Sequence, residues 1–378
     1  MTEINCMAPC LMGIEKLLSD ELKFLGASDV KAENGRVFFS GDISLIAKIN
    51  ICSRLAERVY ILVSRFDAYT FEDLFQGTYS APWEKYIEKD GIFPVTGRCL
   101  SSDLHSVPSC QAVIKKAAAE RLKSKLKADV LPETGALYKI KFLLMKNNVC
   151  LMLDTSGDPL HKRGYRALSN DAPMKETLAA ALVELARVRS NHTVIDPCCG
   201  SGTILIEAAQ KALNIPANGK RSFAAEKWSI FSPQVWQEQR ELAYSRIKSD
   251  CAFKGIGYDI DDNALDICRR NARLAGAADY ITFKHRDIHD FSESFERASV
   301  ICNPPYGERL ADIATAQEIY KTMGKVFTKK QGWSYTVISP EGDFEKCFGR
   351  KADKRRNRPF CGSASAGRWI TLIKNKES

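Results

Sequence analysis

Two stretches carry residue types whose spacing suits chemistry. Residues 193–209 read TVIDPCCGSGTILIEAA. Val194 and Ile195 end an apolar run, a helical pattern begins at Thr203, and Gly200 and Gly202 lie between them. Glycines at such a turn permit a close backbone approach to a ligand. The helix that follows offers unpaired N–H groups and a partial positive charge. Asp196 closes the strand, where a carboxylate accepts a hydrogen bond or faces a cationic ligand. This is a nucleotide-type cofactor loop, without GxGxxG and without the GK[ST] of a phosphate-cradling loop. The second stretch, residues 300–306, reads VICNPPY. Its two prolines stop a strand ladder and hold the chain rigid. Asn303, the Pro304 carbonyl, Pro305 and the Tyr306 ring thereby collect at a strand's carboxyl end, where open α/β sheets bind ligands.

DPCCGSGT followed by NPPY resembles the class I S-adenosylmethionine (SAM)-dependent methyltransferases that modify exocyclic or amide nitrogens. The resemblance implies SAM as cofactor and S-adenosylhomocysteine (SAH) as product. Asp196, Cys198, Gly200, Gly202 and Thr203 are then the loop's cofactor candidates. Asp259, ending a strand over 256–259, is the candidate for the ribose hydroxyls, and Asp261 is the N-cap of a helix over 263–275. Asp287 follows a third strand over 281–283, where the family holds the adenine amine with a carboxylate; Asp290 is its neighbouring competitor. Arg166 and the turn 172–176 lie in a segment that folds onto the cofactor pocket in the resembling enzymes, so Arg166 would approach SAM or RNA.

The catalytic candidates are Asn303, Pro304, Pro305 and Tyr306. An aryl amine delocalises its lone pair and is a poor nucleophile. Two acceptors, the Asn303 oxygen and the Pro304 carbonyl, would take its N–H bonds and aim the lone pair at a methyl group, with Tyr306 stacked on the base. Cys198 and Cys199 suggest a thiol nucleophile, but the sequence places no catalytic His beside them, and packing is the simpler role.

The elements that must position these residues follow from the rest of the chain. At 378 residues it accommodates two or three domains. No apolar run approaches the ~18 residues of a membrane span, and MTEINCMAPC is not a secretory signal. Thirteen cysteines, an odd number with no CxxC pair, read as reduced thiols in a cytoplasmic protein rather than a disulfide or zinc framework. No metal site is expected; His285 with His289 is a loop coincidence rather than a ligand pair. The net charge of +9 is concentrated: residues 1–160 carry 20 basic and 20 acidic residues, whereas residues 346–378 carry 10 basic residues against Asp353 and Glu377.

Residues 1–65 read as a small α/β unit, with an amphipathic helix over 14–25 stopped by Gly26, a strand over 36–39 and a second helix over 43–52. INCMAPCLMGIEKLLSDELKFLG is similar to the ferredoxin-like domain that precedes THUMP domains. Residues 66–160 form the next unit, in which FPVTGRCLSSDLHSVPSCQAVIKKAAAERLKSKL resembles the THUMP RNA-binding module. A helix over 110–127 places Ile114, Ala118, Leu122 and Leu126 on one face and Lys116, Lys123 and Lys127 opposite, flanked by Lys115, Arg121 and Lys125. Such a stripe suits RNA phosphates, and equally a solvated helix face. A hairpin turns at 146–148. The linker, about 155–172, clusters Lys162, Arg163 and Arg166 in a polar loop, with Asn170 or Asp171 to cap the next helix and Pro173 in its first turn.

Residues 161–378 fit an alternating α/β, Rossmann-like methyltransferase domain, interrupted over 214–253 by an aromatic-rich excursion that is helical from Pro233 on. Residues 370–373 read as an edge strand in an unusual C-terminus. The resemblance runs to about residue 356 and falls with the bacterial 23S rRNA RlmL and YpsC-like group, implying methylation of a guanosine N2 amine in 23S rRNA. A tRNA guanine-N2 enzyme shares the modules. DNA adenine-N6 and glutamine-N5 enzymes leave the N-terminal half unexplained. From a different class comes an RNA-binding or assembly factor whose methyltransferase fold no longer turns over. Oligomeric state is not legible.

Overall fold

The computed structural model describes residues 3–166, 174–305, 310–339, 344–358 and 368–374. The chain divides into two compact units: residues 1–10, 18–160 and 220–242, and residues 11–17, 161–219 and 243–378.

The first unit is built on one seven-stranded sheet. Its elements are β1 (Ile4–Pro9), α1 (Glu15–Leu25), β2 (Ser28–Glu33), β3 (Arg36–Gly41), α2 (Ile43–Cys52), β4 (Tyr60–Asp67), α3 (Phe71–Ser80), β5 (Val95–Leu100), α4 (Val107–Leu126), β6 (Ile140–Met145) and β7 (Asn148–Asp154). The strand order is β2-β3-β1-β4-β7-β6-β5, with only β5 and β6 parallel. Local chemistry sets the boundaries. Gly26, at φ +110, ends α1, and the Ala27 N–H returns to the Leu22 carbonyl. Asp42 caps α2 by accepting from the Leu45 N–H. Lys146 and Asn147 both take positive φ, giving β6 and β7 the two-residue turn that matches strand twist. Leu18, Leu22, Ile46 and Ile49 are fully buried, each stabilising the fold by about 1.5–3 kcal/mol relative to exposure.

The aromatic excursion is structural. Trp228 stacks on Tyr138 with centroids 4.9 Å apart and donates from Nε1 to the Leu137 carbonyl. Phe223, Phe231 and Trp236 are also buried. Residues 220–242, although they interrupt the second unit's sequence, therefore complete the core of the first.

The second unit contains α5 (Glu176–Leu185), β8 (Thr193–Asp196), α6 (Thr203–Ala212) and, after the excursion's α7 (Pro233–Tyr244), nearly all of it in the first unit, β9 (Lys254–Asp259), α8 (Asp262–Leu274), β10 (Ile281–His285), β11 (Ala298–Cys302), α9 (Leu310–Val326), β12 (Trp333–Ser339), α10 (Phe344–Phe348), β13 (Lys354–Arg358) and β14 (Arg368–Lys374). The strand order is β10-β9-β8-β11-β12-β14-β13. The first five strands are parallel, and β14 is antiparallel to both its neighbours. From β8 the chain proceeds outward through β9 and β10, then returns to lay β11 on the other side. The switch point of this sheet thus lies between β8 and β11, the strands that end in the two chemical motifs.

Two expectations need correction. Residues 370–373 are not an edge: β14 pairs on both sides, and β13, read KRRNR, is the outer strand. The helix after the linker starts at Glu176, with Lys175 at the N-cap and no side-chain cap; Asn170, Asp171 and Pro173 lie outside the described residues.

Candidate cofactor and amine site

β8 delivers Asp196 into the protein interior, 1% exposed. Burial pushes its carboxyl up to about 8, the nearby Asp259 charge adds to the rise, and a hydrogen bond from the Cys198 N–H opposes it. Gly200 takes φ +53 and Gly202 φ +77, the latter as the N-cap of α6. A Cβ on Gly202 would lie 3.1 Å from Cys268 Sγ and 3.3 Å from Phe283 Cζ, whereas one on Gly200 would meet nothing within 4 Å. The first glycine borders open space, and the second is closed in by α8 and β10.

Neighbouring elements hold the loop at several points. The Gly200 N–H donates to Asp259 Oδ2 at 2.8 Å, the Cys268 thiol to the Gly200 carbonyl at 3.0 Å, and Asn271 Nδ2 to the Ser201 carbonyl at 3.1 Å. The Cys199 N–H reaches the Tyr258 carbonyl. Asp259 Oδ1 accepts from the Asp261 N–H, and Asp261 caps α8 through the Asn263 N–H, as the sequence suggested. Ser201 and Thr203 share a hydroxyl hydrogen bond at 3.0 Å. Cys198 is partly buried against the core that includes Cys302, and Cys199 contacts Cys268 sulfur to sulfur at 3.8 Å. Burial raises the Cys302 thiol well above its usual range, and the pairing with Cys268 together with burial does the same for Cys199. Raised thiols are poor nucleophiles, so Cys199 and Cys302 act as packing.

Arg166 is engaged with protein groups. It donates to the Met174 carbonyl at 2.7 Å and to Glu176 Oε2 at 3.2 Å, with Thr203 Oγ1 at 3.5 Å. It fastens the segment before α5 to the start of α6. Arg163 requires a correction. Its side chain is fully buried, 3.5 Å from Glu207 and hydrogen-bonded to Asn218; Tyr165 donates to the same Glu207 carboxylate at 3.0 Å. A guanidinium buried against a carboxylate is unavailable to an RNA phosphate. Lys162 is exposed.

β11 pairs Val300 with Ile195 of β8, so Asn303 stands past the end of β11 beside the loop that leaves β8. Asn303 Oδ1 is buried and has no hydrogen-bond partner among the described residues. Pro304 is buried and Pro305 exposed; Tyr306 lies outside the described residues. Asp287 follows β10 and accepts from the His289 backbone N–H at 2.8 Å and ring Nδ1 at 2.6 Å. These bonds hold its carboxyl below the usual range. In sequence His289 reads only as a loop coincidence with His285, and Thr322 carries no signal, because only the fold brings α9 against the turn after β10.

On α4, which runs from Val107 to Leu126 rather than to 127, Lys116, Lys123 and Lys125 are exposed, and Lys127, the left-handed C-cap residue, is exposed just beyond it. Lys115 is not comparable: it pairs with Glu133 at 2.7 Å and lies 3.4 Å from the centroid of the Phe93 ring. Arg121 forms a two-pronged pair with Glu84. Among the described residues no helix is long and apolar enough to cross a membrane, and no group of three or more His, Cys, Asp or Glu is arranged to hold a metal ion.

Comparison with known proteins places the domains in named families. Residues 5–60 match the RlmL ferredoxin-like domain, residues 68–154 the THUMP domain, and residues 163–365 the family UPF0020, described as RMKL-like, methyltransferase domain. YpsC of Bacillus subtilis (strain 168), whose description as an RNA methyltransferase is itself provisional, is 39% identical over 358 residues, 94% of this chain and 93% of the relative. The ribosomal RNA large subunit methyltransferase K/L of Psychromonas ingrahamii is 31% identical over 359 residues, 93% of this chain but 48% of the relative. The chain thus spans about half the length of the K/L enzyme. The solved structure of SMU.472, provisionally described as a methyltransferase and complexed with SAH, superposes with a TM-score of 0.92 at 37% identity, covering 100% of both chains. With the glycine-rich loop after β8 and the Asn303–Pro304–Pro305 segment after β11 at one sheet switch point, the chain belongs to the RMKL-like methyltransferase family and is a SAM-dependent methyltransferase preceded by RlmL-type ferredoxin-like and THUMP domains.

Proposed function

We propose that this chain is an RNA methyltransferase that modifies the exocyclic N2 amine of a guanosine in 23S rRNA. The observation that carries the reading is Asn303. A buried amide oxygen without a partner is costly in a finished core, by about 1–3 kcal/mol, and is explained if a substrate N–H completes it. The THUMP match and the names of the relatives support RNA as the substrate, and the K/L relative's name supports large-subunit rRNA.

The residues present fit SAM. Asp196 is a buried carboxyl whose ionised form lacks a cation, and Gly200 borders open space at a helix-capping loop. In this reading Asp196, Cys198, Gly200, Gly202 and Thr203 hold the methionine end, Asp259 the ribose and Asp287 the adenine, with Arg166 fixing the wall between α5 and α6. Bound SAM supplies an electrophilic methyl group on a sulfonium. Asn303 Oδ1 and the Pro304 carbonyl accept the two amine N–H bonds, which keeps the nitrogen pyramidal and directs its lone pair; the two prolines prevent that backbone from relaxing. Tyr306 stacks on the base. No side chain need remove a proton first, because the methylated ammonium is acidic and its proton leaves to water. A base inside a duplex must be flipped out to reach the pocket. Lys116, Lys123, Lys127 and Lys162 are the phosphate contacts, with Lys115 secondary to its Glu133 pair.

Labelled SAM incubated with total RNA from a strain lacking this protein tests the reading. N2-methylguanosine in large-subunit rRNA is expected. Label in tRNA moves the target to that RNA, and SAM binding without transfer to any RNA overturns the reading in favour of a non-catalytic factor or a non-RNA substrate.

A further inference from the structure

The turn after β10 is a three-residue 3-10 helix, Ile288–Asp290, and it is anchored on α9 in two ways. Ile288 is buried in the core that contains Tyr320 and Met323. One residue later, His289 Nε2 lies 3.1 Å from Thr322 Oγ1, and Thr322 is 4% exposed. The other ring nitrogen, Nδ1, lies 2.6 Å from Asp287 Oδ1. An ionised carboxylate only accepts, so Nδ1 carries the proton it donates to Asp287, and Nε2 is left to share a hydrogen bond with the Thr322 hydroxyl. A side chain that is otherwise largely exposed is thereby fixed at both ends. Both bonds from His289, backbone and ring, end on Oδ1 of Asp287; Oδ2 takes neither.

We propose that Thr322 and His289 form a strut that orients the Asp287 carboxylate, turning Oδ2 toward the amine of the SAM adenine, so that His289 is a positioning residue for cofactor recognition. This inference rests on the reading of Asp287 as the adenine carboxylate. The backbone bond alone would cap the turn; the ring bond and the buried hydroxyl behind it add nothing to a cap, but they remove the carboxylate's rotational freedom. A preoriented acceptor loses less entropy when a donor arrives. The same logic governs metal-site histidines, where the second nitrogen's partner fixes the first.

The test is calorimetric titration with SAH and with an SAH analogue carrying plain purine in place of adenine, which lacks the amine. Wild type, Asp287→Ala, His289→Ala and Thr322→Val are compared, with melting curves for each. Asp287→Ala is expected to weaken SAH roughly tenfold or more and the purine analogue little; His289→Ala and Thr322→Val should weaken SAH roughly three- to tenfold and leave the analogue unchanged. If Asp287→Ala affects both ligands alike or neither, the adenine reading of Asp287 is wrong. If Asp287→Ala is selective but the other two bind as wild type, or weaken both ligands equally, the strut is wrong while that reading stands. Thr322→Val is nearly isosteric and carries the test should His289→Ala fold poorly.

Discussion

The Gly200 N–H and the Asp259 carboxylate are joined by a 2.8 Å hydrogen bond that links the loop after β8 to the end of β9, 59 residues apart in sequence. The loop's shape and the carboxylate proposed for the ribose are therefore one object. Asp259→Ala removes both a ligand acceptor and the tie on Gly200. SAH affinity is expected to fall by roughly ten- to a hundredfold, with a modest drop in melting temperature. Asp259→Asn, which keeps an acceptor, should recover part of the loss. Titration of both variants with SAH checks this, and wild-type affinity in Asp259→Ala would remove Asp259 from the site.

Asp196 makes a pH-dependent prediction whose sign is fixed. Its folded-state carboxyl titrates at about 8, well above an ordinary aspartate, so the folded ligand-free protein holds a proton that the unfolded chain has lost between about pH 4 and 8. Ligand-free stability is highest below that window and falls as the pH rises through it. A cationic ligand beside Asp196 favours the ionised form. SAM binding at pH 7 should accordingly release up to about one proton, measured as a dependence of the binding enthalpy on buffer ionisation enthalpy. Asp196→Asn should flatten the stability profile and abolish the release. Proton release that persists in Asp196→Asn assigns it to another group.

Gly202→Ala tests the loop's steric requirement. The substitution puts a side chain at φ +77, with its Cβ 3.1 Å from Cys268 Sγ and 3.3 Å from Phe283. Positive φ and crowding together should destabilise by about 1–3 kcal/mol and weaken SAH binding. Gly200→Ala has the backbone penalty without the crowding. Its fold should suffer less than its ligand affinity. Equal melting losses in the two variants would contradict that distinction.

Much of this arrangement was legible before any coordinates. Residues 193–209 and 300–306 announce strand, turn and helix through apolar runs, glycines and prolines, and both fall at the sheet switch point because parallel strands leave their carboxyl ends there. Helix α2 and the turn at Lys146 were fixed by local signals that tertiary packing does not override. Long-range pairing was not legible. KRRNR is too polar to read as a strand, yet it serves as an outer edge. Arg163 sits in a basic run that reads as solvated, but Glu207, 44 residues on, turns it inward. Thr322 and His289 belong to elements with no sequence pattern in common.

The stripe on α4 separates affinity from folding. A variant with Lys116, Lys123 and Lys127 all changed to Glu should bind RNA roughly ten- to a hundredfold more weakly, with a salt dependence shallower by about two to three in log–log slope. SAH affinity should be unaffected. Lys115→Ala should instead lower the melting temperature, because its partners are Glu133 and the Phe93 ring. Filter binding across a salt series, alongside melting curves, distinguishes the two. RNA binding that is insensitive to the triple variant would place the phosphate contacts elsewhere.

Asn303→Ala opposes two effects that normally move together. Truncating a buried polar side chain usually destabilises a protein, but here the lost oxygen has no partner among the described residues, so stability should stay level or rise by up to about 1 kcal/mol. SAH affinity should change less than about threefold, because Asn303 is assigned to the amine and not to the cofactor. The single-turnover methyl-transfer rate should nevertheless fall by about 10²–10³, the range for removing one preorganised transition-state contact. Loss of rate with retained stability and retained cofactor affinity is the signature of a group held unsatisfied until substrate arrives. A variant that folds, binds SAH and turns over at the wild-type rate would take the Asn303 oxygen out of the chemistry and leave only the Pro304 carbonyl to direct the amine.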